Sequence, residues 1–240
     1  MKKQEVLESL KDGLIVSCQA VPEEPHYMEG ITVKFSECAA WAGAKGIRAN
    51  SPEDIRAIKA QGDLPVIGIW KINRNVKDVY LTPNLEAAKA VWEAGAEIIA
   101  VQATHHYRDD GKLAYETIRE IKENIPEALI FADVSTAEDA RIAAKMGADF
   151  VAPTLAGYTK AGAFDKLEIK DAPDYILLRD IVDAVKGTGA RVIMEGKVAT
   201  PEIAVQCLYM GAYAVVVGNA ITRPHITAKR FARALNRFHD

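Results

Sequence analysis

Apolar residues along this chain fall in short unbroken runs, and between the runs they recur at every third or fourth place. Eight runs stand out, at Leu14–Ser17, Lys45–Arg48, Val66–Trp70, Ile98–Val101, Leu129–Ala132, Phe150–Ala152, Arg191–Met194 and Tyr213–Val217. Runs of this kind predict strands buried on both faces. The intervening stretches predict helices over Glu53–Gln61, Leu85–Glu93, Leu113–Asn124, Glu138–Met146, Tyr175–Lys186 and Glu202–Met210. Punctuation agrees with the pattern. Gly-Ala recurs just before apolar runs at Gly43, Gly95, Gly147, Gly189 and Gly211, where glycine ends a helix in the left-handed conformation. Ser51-Pro52, Thr82-Pro83 and Thr200-Pro201 each offer a cap followed by proline at the first helical position. Ser51-Pro52-Glu53-Asp54 also sets an acid where a capping box needs one.

Alternation of strand and helix implies right-handed crossovers and a parallel sheet. Eight such units in 240 residues predict one α/β domain over residues 1–240, a closed (β/α)8 TIM barrel. An open doubly wound sheet is the alternative, but no G-x-G-x-x-G follows the first strand. Val6, Leu7 and Leu10 predict an N-terminal helix closing the barrel bottom. The segment Thr154–Pro173, with Gly157, Lys160 and Gly162, is long enough for a lid on the catalytic face. Lys229–Arg237 reads as a final amphipathic helix with Phe231 and Leu235 turned inward, and Trp41, Trp70 and Trp92 read as core.

Composition narrows the class. Apolar residues make up 49% of the chain, enough for a sizeable core, and the net charge is −3 with the basic residues dispersed. Nucleic acid and anionic membranes therefore have no compositional support as partners. There is no 18-residue apolar run, and Met1–Lys11 is too charged for a signal peptide. Cys18, Cys38 and Cys207 form an odd, scattered set without zinc spacing, as expected of reduced thiols in a cytoplasmic protein.

Chemistry in such a barrel resides at the C-terminal strand ends. In chain order these ends carry Gln19, Arg48, Lys71, Gln102, Asp133, Thr154, Glu195 and Gly218-Asn219. Lys71 leaves an apolar strand beside Trp70, a setting that favours the neutral amine and suits a base or Schiff-base nucleophile. The plainer alternative is a surface lysine opening a loop. Glu195 is placed to return a proton or hold a hydroxyl, while Arg48 and Gln19 suit carbonyl or hydroxyl oxygens. Asp133 is either catalytic or a group that orients Lys71 or the substrate. A glutamate near Lys71 favours its ammonium form, whereas Arg48 and desolvation favour the amine. Glu195-Gly196-Lys197 and Gly218-Asn219-Ala220 each place a glycine directly after a strand, where backbone N–H groups approach an anion closely. Barrel phosphate sites follow strands seven and eight, and Arg223 adds a possible bidentate contact. Otherwise these glycines only relieve tight turns. His105-His106 has no second ligand pair and reads as a solvated loop, and Cys18 reads as barrel filling rather than a nucleophile.

Seven blocks carry a family resemblance: IVSCQA (Ile15–Ala20), GIRAN (Gly46–Asn50), DLPVIGIWK (Asp63–Lys71), ADVST (Ala132–Thr136), TLAGYT (Thr154–Thr159), EGKVATPE (Glu195–Glu202) and VVVGNAITRP (Val215–Pro224). They resemble the N-acylglucosamine-6-phosphate (N-acetylmannosamine-6-phosphate) 2-epimerase family, in order, from the first strand to the last helix. The resemblance implies an epimerase of sialic-acid catabolism that needs neither metal nor cofactor. It interconverts the two 6-phosphates by exchanging the proton at C2, with Lys71 as acid/base and Glu195 as its catalytic partner. Gln19, Arg48, Asp133 and Thr154 would position the sugar; Gly196, Gly218, Asn219 and Arg223 would bind its phosphate; the assembly would be a homodimer. Two departures bear on substrate identity. Gln102 stands where the family has an acid after the fourth strand, and Pro153 where it tends to have Thr. A Lys-dependent aldolase and a non-catalytic phosphosugar-binding barrel are the alternatives.

Overall fold

A computed structural model describes residues 2–72, 79–157 and 172–236. Its elements run α1 (Lys3–Leu10), β1 (Leu14–Cys18), α2 (Ile31–Trp41), β2 (Gly46–Asn50), α3 (Pro52–Lys59), β3 (Val66–Ile69), α4 (Leu85–Glu93), β4 (Ile98–Gln102), α5 (Glu116–Asn124) and β5 (Leu129–Asp133). They continue with α6 (Ala137–Lys145), β6 (Phe150–Ala152), α7 (Tyr175–Ala184), β7 (Arg191–Glu195), α8 (Pro201–Tyr209), β8 (Ala214–Val217), α9 (Asn219–Thr222) and α10 (Pro224–Asn236). The strands pair in sequence order, all parallel, and β8 returns to β1 to close the barrel.

Two apolar layers hold it. Ile15, Ile67, Ile98, Phe131, Phe150 and Ile193 fill the barrel, and Val6, Leu7 and Leu10 of α1 plug its N-terminal end as expected. Tyr213 ties that plug down by donating from its hydroxyl to the Leu7 carbonyl at 2.6 Å. The outer faces of the strands pack against Ile55, Val91, Ile118, Ala140, Leu178 and Cys207 of the surrounding helices. Gly68 sits midway along β3, where an added Cβ would stand 2.5 Å from Val91 and 2.8 Å from Ile55. The missing side chain lets α3 and α4 press on the strand that delivers Lys71.

The local signals succeeded where the chemistry was local. All five Gly-Ala glycines have positive φ, from 85° to 103°. Ser51 accepts from Asp54 N at 3.3 Å and Thr200 from Ile203 N at 3.4 Å, so both cap their helices. Thr82 does not. α4 opens two residues later with Asn84, whose Oδ1 accepts from Ala87 N at 2.9 Å, and Thr82 Oγ1 instead accepts from Trp70 N at 3.1 Å. α2 was not anticipated, because its N-cap Gly30 offers no side-chain oxygen to read.

Two expectations about apolar burial fail. Trp41, the last residue of α2, is 92% exposed rather than core, while Trp70 and Trp92 do pack on the outer layer. Phe231 and Leu235 are 68% and 63% exposed, and α10 buries no residue, because its main neighbour is the short α9 rather than the barrel wall. Of the expected lid segment Thr154–Pro173, residues 158–171 lie outside the described residues, as do Arg74 and Arg237. Among the described residues, no helix is long and apolar enough to cross a membrane.

Candidate active site

The mouth of the barrel is organised by Arg48. Its place inside β2, rather than at the strand's end, sends the side chain inward, and the residue is only 1% exposed. Asp133, the last residue of β5 and fully buried, receives it bidentately: Nη1 donates to Oδ1 at 2.9 Å and Nη2 to Oδ2 at 2.7 Å. Arg48 Nη1 also pairs with Glu195 Oε2 from the end of β7. The Phe131 ring faces the guanidinium carbon at 4.9 Å. Burial disfavours this cation, but Asp133 and Glu195 outweigh burial and hold its pKa above the ordinary value. Forked pairing of this kind is specific to arginine geometry.

Glu195 is the second carboxylate on one cation, and its ionisation is correspondingly reluctant. Burial pushes its pKa up to about 7, with Asp133 adding repulsion, while Arg48 and Lys71 pull the other way. A carboxyl that titrates near neutrality accepts and returns protons with little cost either way. Raised in the folded state, this group favours folding most below its unfolded pKa, and that contribution is lost as pH rises through about 7. The stability of Glu195→Gln relative to the parent should therefore improve between pH 5 and pH 8 by on the order of 2–3 kcal/mol in urea unfolding. A pH-independent difference would contradict the raised pKa.

Lys71 stands two residues past the end of β3, after Trp70, held by its backbone on both sides. Its N–H donates to Asn50 Oδ1 at 2.9 Å, and it pairs with Leu81 in an antiparallel bridge flanked by Thr82 N to Trp70 O at 2.9 Å. The ammonium or amine Nζ lies 2.6 Å from Gln19 Oε1, and Gln19 Nε2 donates to Ser17 Oγ at 2.9 Å. Gln19 thus orients Lys71 as well as facing the cavity.

Across the mouth, β7 and β8 end in tight turns. Gly196 has φ 109° and Lys197 φ 57°, two consecutive left-handed residues that bend the chain around the rim. Gly218 leads into α9, which Thr222 fastens to β1 by donating to Ser17 O at 2.9 Å. Arg223 follows; its Nη1 donates to Asn219 Oδ1 at 2.7 Å.

These parts enclose one cavity of about 430 Å³. Gln19, Arg48, Lys71, Thr154 and Glu195 line it together with Gly196, Gly218, Asn219 and Arg223. Asp133 does not reach the cavity; it lies beneath Arg48. Gln102 is also below the surface, accepting from Tyr80 N at 3.3 Å, so it supports the Tyr80 segment that lines the cavity. Ser17, Tyr80, Lys197 and Arg230 line the cavity without having been singled out in the sequence. Lys197 lies inside the EGK block and was readable; Arg230 is brought in by α10 and has no local signal. Cys18 is buried, and burial pushes its thiol up to about 12, so it fills the barrel. His105 and His106 stack at 5.0 Å on the far loop, with His106 Nδ1 2.9 Å from Thr104 Oγ1. Among the described residues, no three His, Cys, Asp or Glu side chains are placed to share a metal ion.

An eight-stranded parallel barrel with an amine, a carboxylate and a guanidinium lining one cavity at its C-terminal mouth belongs to the α/β-barrel class. Comparison with known proteins gives the family. Residues 32–237 match the family model described as "Putative N-acetylmannosamine-6-phosphate epimerase", and the chain belongs to that family. A relative from Caldanaerobacter subterraneus subsp. tengcongensis, named "Putative N-acetylmannosamine-6-phosphate 2-epimerase", is 43% identical over 95% of this chain and 93% of its own length. One of the same name from Listeria welshimeri is 39% identical over 98% of this chain and 97% of its own length. The solved N-acetylmannosamine-6-phosphate 2-epimerase from Clostridium perfringens superposes with a TM-score of 0.85 at 36% identity, covering 95% of each chain. A thiamine phosphate pyrophosphorylase from Pyrococcus furiosus shares the fold alone, at 19% identity and a TM-score of 0.56.

Proposed function

We propose that this enzyme interconverts N-acetylmannosamine 6-phosphate and N-acetylglucosamine 6-phosphate by exchanging the proton at C2. The observation that carries the reading is that Lys71 and Glu195 open into one cavity, which the Gly196 and Gly218 turns and Arg223 also line. In the open-chain sugar the C2 proton is acidified by the C1 aldehyde. Lys71 as the amine takes that proton, and the C–H electron pair moves into C1–C2 as the C1 carbonyl becomes an enolate, with the acetamido nitrogen still on C2. Glu195, titrating near neutrality, is the partner that protonates and releases the oxygen or returns a proton to carbon. Protonation of C2 on the opposite face gives the epimer, with no net change in protons or electrons.

Several features support a polyhydroxylated, anionic substrate. The Arg48 Nε and Thr154 Oγ1 are buried at the cavity with no hydrogen-bond partner among the described residues, so a sugar oxygen or the N-acyl carbonyl satisfies both. Gly196, Gly218, Asn219 and Arg223 take the phosphate; Gln19 holds Lys71 and contacts the sugar; Asp133 acts through Arg48. The test is direct: N-acetylmannosamine 6-phosphate should convert to an equilibrium mixture with its epimer, followed by NMR. Borohydride added during turnover should leave Lys71 unmodified, and a covalent adduct there would instead indicate a Schiff-base aldolase.

The exposed Phe231 and Leu235 of α10 are the support for a homodimer, in which a second copy of the chain in the cytoplasm covers that face. Phe231→Asp/Leu235→Asp should sediment as a monomer where the parent sediments as a dimer. A monomeric parent would refute the dimer.

A further inference from the structure

We propose that Glu24 is a positioning residue for the phosphate, acting through Arg223; this rests on the assignment of Arg223 to the phosphate. Glu24 lies in the loop after β1 and does not line the cavity, whereas Arg223 does. Its carboxylate is nonetheless half of an ion pair with that arginine, Oε1 against Nε, and the Glu24 side chain is only 14% exposed. The opposite side of the guanidinium is held as well, through Nη1 and Asn219 Oδ1 at 2.7 Å. A guanidinium carries five donors in one plane. Glu24 restrains the Nε side by charge, not by a hydrogen bond, since Nε–H finds no acceptor among the described residues, while Nη1 is hydrogen-bonded to Asn219. A guanidinium restrained in this way meets a phosphate with less side-chain entropy left to lose.

Glu24 is itself anchored for this task. Its second oxygen, Oε2, accepts from Val21 N at 3.1 Å. Its backbone closes turns on both sides, Glu24 N to Val21 O at 3.0 Å and Tyr27 N to Glu24 O at 2.9 Å. His225 adds a wall: its Nε2 is 4.0 Å from Glu24 Oε1, and its ring stacks on His26 at 5.1 Å. The β1 loop and the link between α9 and α10 are thus joined at one carboxylate. The sign of its effect follows from geometry. Glu24 reduces the net positive charge facing the phosphate, but it lies behind the guanidinium while the phosphate lies in front, so orientation outweighs the lost attraction.

Glu24→Gln tests this, because the amide oxygen still accepts from Val21 while the ion pair is lost. The measurements are kcat and KM with N-acetylmannosamine 6-phosphate, competitive inhibition by inorganic phosphate, and melting temperature, in the parent, Glu24→Gln, Arg223→Ala and the double variant. The expected result for Glu24→Gln is KM and the phosphate inhibition constant both raised about 5–10-fold, with kcat within about twofold of the parent. Melting should be unchanged, and Glu24→Gln should add nothing in the Arg223→Ala background. Glu24→Asp, which keeps the charge but shortens the reach, should fall between parent and Gln. If Arg223→Ala weakens phosphate inhibition but Glu24→Gln leaves it unchanged or strengthens it, the positioning role is wrong and the phosphate assignment stands. If additive losses in the double variant accompany a lowered melting temperature, Glu24 is a structural residue of the loop and the proposal fails. If Arg223→Ala leaves phosphate inhibition untouched, the phosphate assignment fails and takes this inference with it.

Discussion

Lys71→Ala is expected to lose at least about 10³-fold in epimerisation rate, the size of a removed acid–base group acting at carbon, while phosphosugar binding remains measurable by calorimetry. The separation follows from where the lysine sits. Its Nζ is held by Gln19, from the end of β1, whereas the groups proposed to bind the phosphate belong to the turns after β7 and β8. Losing the amine therefore removes the group proposed to take the C2 proton without removing the proposed anchor. The loss should appear in kcat and kcat/KM alike, as for an interaction made in the transition state. Lys71→Arg should be nearly as inactive, because a guanidinium stays protonated and cannot accept the proton. A substantially active alanine variant would show that another group does the chemistry.

Arg48→Met should be the most destabilising single change at the mouth, by about 3–5 kcal/mol in urea unfolding at pH 8, because it strands Asp133 and Glu195 in the interior. The volume is nearly kept, so the cost is that of uncompensated charge rather than of a cavity. The deficit should narrow as the pH is lowered toward 5, since protonating Glu195 removes one of the two stranded charges. Adding Asp133→Asn should recover much of the lost stability, while activity stays low in both variants. An Arg48→Met protein as stable as the parent at pH 8 would contradict the central role given to this ion cluster.

The barrel was legible because its evidence is local and repeated. Unbroken apolar runs, glycines ending helices and polar residues closing strands each follow from backbone chemistry within a few residues, and eight repeats leave few alternatives. The same logic puts Lys71, Glu195 and Thr154 at strand ends, and all three line the cavity. What the sequence did not carry is which polar ends meet. Arg48 and Asp133 are 85 positions apart, and only closure of the barrel makes them one forked pair, with Asp133 beneath the cavity rather than in it. Likewise Gln102 stands at a strand end yet turns to hold Tyr80. Glu24 gave no signal, since an acid in a Pro-rich loop looks solvated until Arg223 arrives from the other end of the chain.

The errors of burial have a common cause. An apolar pair at helical spacing, Phe231 and Leu235, states that a face wants cover but not that the cover lies within the same chain. Trp41 was misplaced because the periodic pattern that puts residues inside ends with the last turn of α2. Thr82-Pro83 imitated a cap, but the Thr82 hydroxyl was already committed to the Trp70 backbone, and Asn84 took the role.

The proposed epimerisation requires an amine and a near-neutral carboxyl to flank C2 of the bound sugar. The most direct measurement is deuterium incorporation during single-turnover conversion of N-acetylmannosamine 6-phosphate in D2O, read at C2 by NMR. The account predicts product carrying solvent deuterium at C2 and nowhere else on the carbon skeleton, with incorporation lost in Lys71→Ala. Product formed at the normal rate with its original C2 proton fully retained would contradict it.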